Sequence, residues 1–338
     1  MLESEIKIIP IIESLKLFQL EDKEYFKIKA ISNSKLKLIN PLEDGSPEKY
    51  NEGIPSSSNA SFVTGTAIHQ MVLQKESYYI NEEINKPTGK LNDLVDCIFK
   101  YRKRGYSILE SINIASLKVD YYTNKLTKKR IDTVIEKCLE FYLYLKNYDF
   151  SKGKEPIFLD NVNRTKVITC VNNVNSNVNI INKLYPEDAI TFNEYVITIN
   201  FKVIFPDKTE IILPFKGKID NFSILPESNE IFVNDLKSTG KYIADFGGSF
   251  VKFHYHRQIA IYSYLVKLLA EKSYGYDNLN NYKLYPTMVL VSTIPIHEVG
   301  SFIVKDLQVI EGINEFKNLF KRVAFHEVYG YDKEFLKI

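Results

Sequence analysis

The tripeptide Asp235-Leu236-Lys237 is the place in this 338-residue chain where chemistry is most legible. It closes the run EIFVNDLK (230–237), whose β-branched and apolar residues predict a strand. Side chains alternate along a strand, so Asp235 and Lys237 share one face and Leu236 takes the other. An acid and a lysine side by side pack a core poorly. They make a sensible metal site with a cation beside it. A preceding strand ends in Gly217-Lys218-Ile219-Asp220, and a hairpin or meander brings Asp220 next to Asp235. Two carboxylates a few ångströms apart repel each other unless a proton or a cation lies between them. Oxygen ligands of this kind favour hard ions, Mg²⁺ or Mn²⁺. Taken alone, a D-x-K on a strand is also a common surface feature.

Other residues gather around this pair in chain order. Gln258 and Tyr262, in YHRQIAIY, are four apart and share one face of an expected helix. His69 closes Gly65-Thr66-Ala67-Ile68-His69 on an earlier helix. The segment ISNSKLKLINPLEDGSPEKY opens the region. With the G-x-x-D of Gly217 to Asp220 and the D-x-K of Asp235 to Lys237, these elements resemble the PD-(D/E)XK nuclease superfamily. Within it they are similar to the RecB/RecE-like, phage-type exonucleases. The resemblance spans about residues 30–265 and has no counterpart for 85–185.

The resemblance implies an α/β fold with a restriction-endonuclease-like core: a mixed central β-sheet flanked by helices, with a large helical N-terminal half. It implies hydrolysis of DNA phosphodiesters with one or two Mg²⁺ or Mn²⁺ ions. Asp220, Asp235 and the main-chain oxygen of Leu236 would ligate metal, with His69 as a further ligand; an imidazole suits Mn²⁺ better than Mg²⁺. Lys237 would orient or help deprotonate the attacking water and offset phosphate charge. Gln258 would brace a carboxylate or water, and Tyr262 would face Lys237 or DNA. The alternatives stay open at the residue level: His69 as a core histidine, Tyr262 as simple packing, and Glu194 as a strand-edge acid rather than an extra ligand. Endonuclease action, or a DNA-binding protein with a vestigial nuclease fold, is the alternative function. Relatives resect duplex ends, hand single strands to an annealing protein and assemble into rings, so DNA ends, single strands, such a partner and a homo-oligomer are the implied partners.

The elements that must position these groups follow from hydrophobic period. Residues 1–25 read as an arm or short helix. The rest, 26–338, reads as one nuclease domain with a helical insertion at about 85–185. Ser32 or Ser34 caps a helix over 31–40, and 61–77 is a second helix. Helical spacing runs from 91 to 149. The asparagine-rich stretch 161–182 is expected as a helix packed on a sheet. Period-two alternation marks strands at 190–205, 209–219 and 230–237, with further strands at 286–294 and 299–304. Helices are expected at 250–270 and 306–323.

Composition is that of a globular protein: 45% hydrophobic, 25% charged, net charge +2. Any nucleic-acid surface must therefore be local. The basic segment 96–130, with Lys128, Lys129 and Arg130, is the candidate, and Arg257 beside Gln258 is another. A solvated helical face is the competing explanation. Cys97, Cys138 and Cys170 form no C-x-x-C pair, which argues against zinc and suits a reducing compartment. The N-terminus lacks signal-peptide character, and no run of about 18 apolar residues occurs. The expectation is a cytoplasmic protein, in the host cytoplasm if phage-encoded, with no membrane contact.

Overall fold

The computed structural model describes residues 5–53, 60–87, 89–119, 128–149, 153–274 and 282–331. In chain order the elements are β1 (Lys7–Gln19), α1 (Asp22–Lys27), α2 (Asn33–Lys37), α3 (Pro47–Glu52), α4 (Ala60–Leu73), β2 (Tyr78–Ile80), α5 (Lys90–Lys103), α6 (Ile108–Lys118), α7 (Lys128–Lys137), α8 (Leu139–Asn147), β3 (Glu155–Ile157), α9 (Asn161–Ser176) and α10 (Val178–Leu184). Then follow β4 (Ile190–Ile204), β5 (Glu210–Leu225), β6 (Glu230–Thr239), α11 (Phe246–Lys252), α12 (Tyr255–Tyr274), β7 (Lys283–Ser292), β8 (Val299–Ile303) and α13 (Asp306–Tyr329). The chain forms two compact units, residues 1–65 with 172–338, and residues 66–171.

The first unit is a mixed α/β layer structure. Its sheet has six strands in the order β1-β4-β5-β6-β7-β8. Neighbours are antiparallel except β6 and β7, which run parallel. Antiparallel pairs can close through short turns, as β4-β5, β5-β6 and β7-β8 do, whereas a parallel pair needs a long crossover; α11 and α12 occupy that connection. Residues 7–19 prove to be an edge strand rather than an arm or short helix. Pro10 lacks an N–H and is tolerated because an edge strand leaves one side unpaired, while Ile6 and Leu15 are buried. Ser32 caps α2 by accepting from Lys35 N at 3.2 Å.

Helices α12 and α13 pack on the face formed by Phe201 and Phe215. These rings meet Phe316 and Phe320 of α13 at centroid distances of 5.3 to 6.2 Å. All four are at most 2% exposed, and burying each contributes roughly 1.5–3 kcal/mol. On α13 the buried Gly312, Phe316, Leu319, Phe320 and Val323 fall at helical spacing. On the opposite face, Asn221 Nδ2 donates to Leu184 O at 2.9 Å and Asn234 Nδ2 to Lys183 O at 2.8 Å. The last carbonyls of α10, which lack partners inside their helix, are thereby satisfied from the sheet.

The second unit is helical, with a core of Leu94, Val95 and Ile98 from α5, Ile112 and Ala115 from α6, Val134 from α7, Phe141 and Leu145 from α8, and Phe158. Ser107 and Glu110 form a capping box on α6. The two three-residue strands β2 and β3 pair in parallel. They are too short for periodicity to announce. Among the described residues no helix is long and apolar enough to cross a membrane.

The closeness of α12 and α13 depends on Gly312. A Cβ there would lie 2.5 Å from His256 O and 2.8 Å from Ala260 Cβ. Backbone cannot move aside as a flexible side chain can. Gly312→Ala is expected to destabilise the protein by about 1–3 kcal/mol. Gly240→Ala, where the new methyl meets open space, should stay within about 0.5 kcal/mol. Urea denaturation of both variants checks this.

Candidate active site

Along β5 the core positions are odd-numbered from Leu213 to Ile219 and even-numbered at Phe222 and Ile224. On β4 they are odd from Ile197 to Val203, while Phe192 packs on the same core from an even position. A slip of one residue reverses every side chain. Both strands therefore change phase at the same level, between Asn193↔Asn221 and Tyr195↔Ile219. The residues at the change are Glu194 and Asp220. Glu194 takes a left-handed φ of 57°, as a residue re-aimed at an irregularity does. It is 7% exposed, and one of its carboxylate oxygens lies within 4.8 Å of one on Asp220.

The neighbouring strand parts at this level too. β5 and β6 pair only from Asn221↔Asn234 to Leu225↔Glu230. Beyond that the strands separate, and Ile31 fills the vacated edge, its N–H donating to Pro214 O and its carbonyl accepting from Lys216 N. Asp220 and Asp235 are the first residues past the fork. Asp220 Oδ2 accepts from Leu236 N at 2.9 Å, a side chain standing in for the lost ladder. Gly217 lets α12 lie against this region, because a Cβ would sit 3.1 Å from Leu265 and 3.3 Å from Tyr262. Gly65, near the start of α4, passes just as near β6, where a Cβ would sit 2.7 Å from Ser238 Oγ.

Asp235 is 1% exposed, and a bare carboxylate there would be prohibitively desolvated. Lys237 Nζ approaches its Oδ2 at 2.6 Å. Oδ2 has no partner at hydrogen-bonding angles, so this is a charge contact that leaves a lone pair uncommitted. Oδ1 accepts from Gln258 Nε2 at 3.1 Å, and the same amide reaches Tyr262 OH at 3.2 Å. Burial works against the Lys237 ammonium, yet Asp235 and Asp220 outweigh it and hold its pKa above the ordinary lysine value. Burial pushes the Tyr262 phenol far up, so it stays protonated. The Tyr255 ring lies 5.4 Å from Lys237 Nζ.

Lys218 adds a second cation. Its Nζ is 2.8 Å from Glu194 Oε2 and 2.5 Å from Asp22 Oδ1. Burial lowers its pKa and Glu194 raises it, with a net rise. Glu194, Asp220, Asp235 and Asp22 thus face two ammonium groups, an excess of two negative charges. That excess, the uncommitted lone pair on Asp235 and the carboxylate oxygens fit a hard divalent cation.

Arg257 departs from its expected place on DNA. It is 1% exposed, and Nη1 lies 2.6 Å from both Glu43 Oε2 and Glu315 Oε1, while Nε donates to Asn33 at 2.9 Å. A guanidinium so enclosed cannot reach phosphate. His254 and His256 approach Glu315 at 2.8 and 3.0 Å, and with it they are close enough to hold a metal. Arg257 already supplies the positive charge there, so this cluster is an anchor for the start of α12. Burial alone would raise the Glu315 carboxyl, but the His256 hydrogen bond and Arg257 hold it at about 2. Lys128, Lys129 and Arg130 open α7, and their side chains lie outside the described residues, as does 120–127. Arg102 is committed to the Leu145 and Tyr106 carbonyls. His69 is half-buried on α4, within the second unit. The residues that sequence reasoning passed over are Lys218 and Asp22. Lys218 was visible inside the G-x-x-D element itself, whereas nothing marked Asp22.

No protein-family profile matches the chain. No curated protein matches it either. Among solved structures, a "Putative exonuclease" from Eubacterium rectale is similar over 95% of this chain and 96% of its own, at 12% identity and a TM-score of 0.43.

Arg257→Met would leave Glu43 and Glu315 buried without their counter-charge, at a cost of about 3–5 kcal/mol near neutral pH. A depressed carboxyl contributes stability above its unfolded value of 4.5 and loses it as pH falls toward 2. The gap between wild type and Arg257→Met should therefore narrow across that window. Urea unfolding at pH 7 and pH 3 reads it, and an equal gap at both would show that Glu315 is not the partner.

Proposed function

We propose that this chain is a metal-dependent deoxyribonuclease acting on DNA ends, of the PD-(D/E)XK, RecB/RecE-like kind. The observation that carries the reading is the buried Asp235 and half-buried Lys237 on one strand face, with Asp220 and Glu194 beside them where β5 parts from β6. The mixed six-stranded sheet agrees with it. Asp220, Asp235 and the Leu236 main-chain oxygen would hold Mg²⁺ or Mn²⁺. Glu194 is an added carboxylate ligand. His69 would be a further ligand, as the resemblance implies.

The bound ion supplies an acidified water and charge stabilisation at phosphorus. The protein groups do the rest. Lys237 presents a fixed ammonium to a phosphate oxygen, a preorganised charge that needs no rearrangement. Gln258 keeps Asp235 in one orientation by occupying Oδ1, so that Oδ2 faces the site. Tyr262 holds Gln258. The substrate end then lies where the strands part. Resection of duplex ends for phage-type recombination, delivery of single strands to an annealing protein and a ring-like homo-oligomer complete the reading. Lys128, Lys129 and Arg130 would hold DNA through phosphates.

Linear duplex and covalently closed circular DNA, incubated with Mn²⁺, Mg²⁺ or EDTA, test the reading. Metal-dependent loss of the linear form alone is expected, and cutting of both forms would make the enzyme an endonuclease. Asp235→Ala should lower cleavage by roughly a hundredfold or more with the fold retained. A variant that cuts at the wild-type rate would remove the assignment. Charge reversal of Lys128, Lys129 and Arg130 should flatten the dependence of log affinity on log salt by about two to three, and an unchanged slope would return them to a solvated face.

A further inference from the structure

We propose that Phe26 is a stacking platform for an unpaired base of a single-stranded DNA end, held at the rim of the candidate site. The proposal rests on the nuclease reading for its substrate class. Single exposed apolar residues are ordinary on proteins, so the 73% exposure of this ring means little by itself. Its mount is what distinguishes it. Helix α1 is only six residues long, too short to be stable on its own. Two lysines of β5 hold it. At its start, Asp22 Oδ1 meets Lys218 Nζ at 2.5 Å. At its end, Lys216 Nζ donates to Tyr25 O at 2.8 Å and Ile28 O at 2.9 Å, and lies 4.3 Å from the Tyr25 ring centroid. Lys216 is 6% exposed. Burying a lysine to fix one short helix places what that helix carries.

What it carries stands beside the carboxylates. Lys218 bridges Asp22 to Glu194, which has a carboxylate oxygen within 4.8 Å of one on Asp220. Phe26 is four residues after Asp22, so the two share a side of α1 about one turn apart. The Tyr25 and Phe26 rings meet edge to face at 5.4 Å and 67°, and the exposure of Phe26 leaves its remaining ring surface open. Lys27 and Lys29 follow it in the chain and are both exposed; Lys27 is in a surface ion pair with Glu24 at 2.7 Å, weak enough for backbone phosphate to compete with. An exposed aromatic face flanked by cations is how single strands are held without sequence preference, since every base has a π-face. Within a duplex those faces are already stacked on neighbouring pairs, so the platform selects the unpaired end.

The test is binding in EDTA, where affinity is read without cleavage. The probes are an oligothymidylate carrying 2-aminopurine near one end and a blunt duplex of equal length. Phe26→Ala should weaken single-strand binding about tenfold or more and change duplex binding less than twofold. Phe26→Leu, apolar but without a π-face, should behave like Phe26→Ala, and Phe26→Trp should keep wild-type affinity. Circular dichroism confirms that each variant is folded. Wild-type affinity in Phe26→Ala overturns the platform, as does an equal loss on both probes or the absence of single-strand binding by wild type. Loss confined to the single strand in a protein that cleaves nothing with Mn²⁺ or Mg²⁺ would sustain the platform and remove the nuclease reading instead.

Discussion

A carboxylate buried to the degree of Asp235 must be matched by groups around it, and much of the first unit is arranged to do so. Lys237 lies on the same strand face and contributes the counter-charge. Gln258 reaches over from α12 to occupy one oxygen. The strand pair that would have covered the site separates at this level, so Asp220 is freed to take the Leu236 amide. Removing any one group would strand the others in a medium where an unpaired charge is costly.

The position of α12 is thus part of the chemistry. Three features hold it. Gly312 lets α13 approach it to a distance that a methyl group would not allow, and Gly217 lets β5 approach to one that a methyl group would crowd. The guanidinium of Arg257, one residue before Gln258, is enclosed by Glu43, Glu315 and Asn33. Phe316 and Phe320 pack α13 onto the sheet behind it. The sheet's other face is tied to α10 by Asn221 and Asn234, which also hydrogen-bond each other at 2.6 Å. Those two asparagines form the last rung before the fork, so the polar pair that ends the ladder also fixes where the acids begin.

The strands were legible because the alternation of ITFNEYVITINFKVIF and its successors survives in β4, β5 and β6. The acid, lysine and glutamine of the site were legible because their spacing within single elements is local. β1 was not, since Pro10 and a run of isoleucines hide its period and only its pairing with β4 makes it a strand. The phase change at Glu194 was equally hidden: it depends on two strands slipping together. Arg257 was misplaced for a related reason. A basic residue beside Gln258 reads as a phosphate contact until Glu43 and Glu315, distant in sequence, arrive to enclose it.

The central claim is that the acids at the fork form one cation site. Isothermal titration of the full chain with Mn²⁺ tests it most directly, comparing wild type with Asp220→Asn and with Glu194→Gln. The account predicts saturable binding by wild type, weakened in both variants, with circular dichroism unchanged. Glu194→Gln is the sharper arm, because that residue enters through the geometry of the phase change. Equal affinity in all three proteins, or no binding by wild type, would contradict the account.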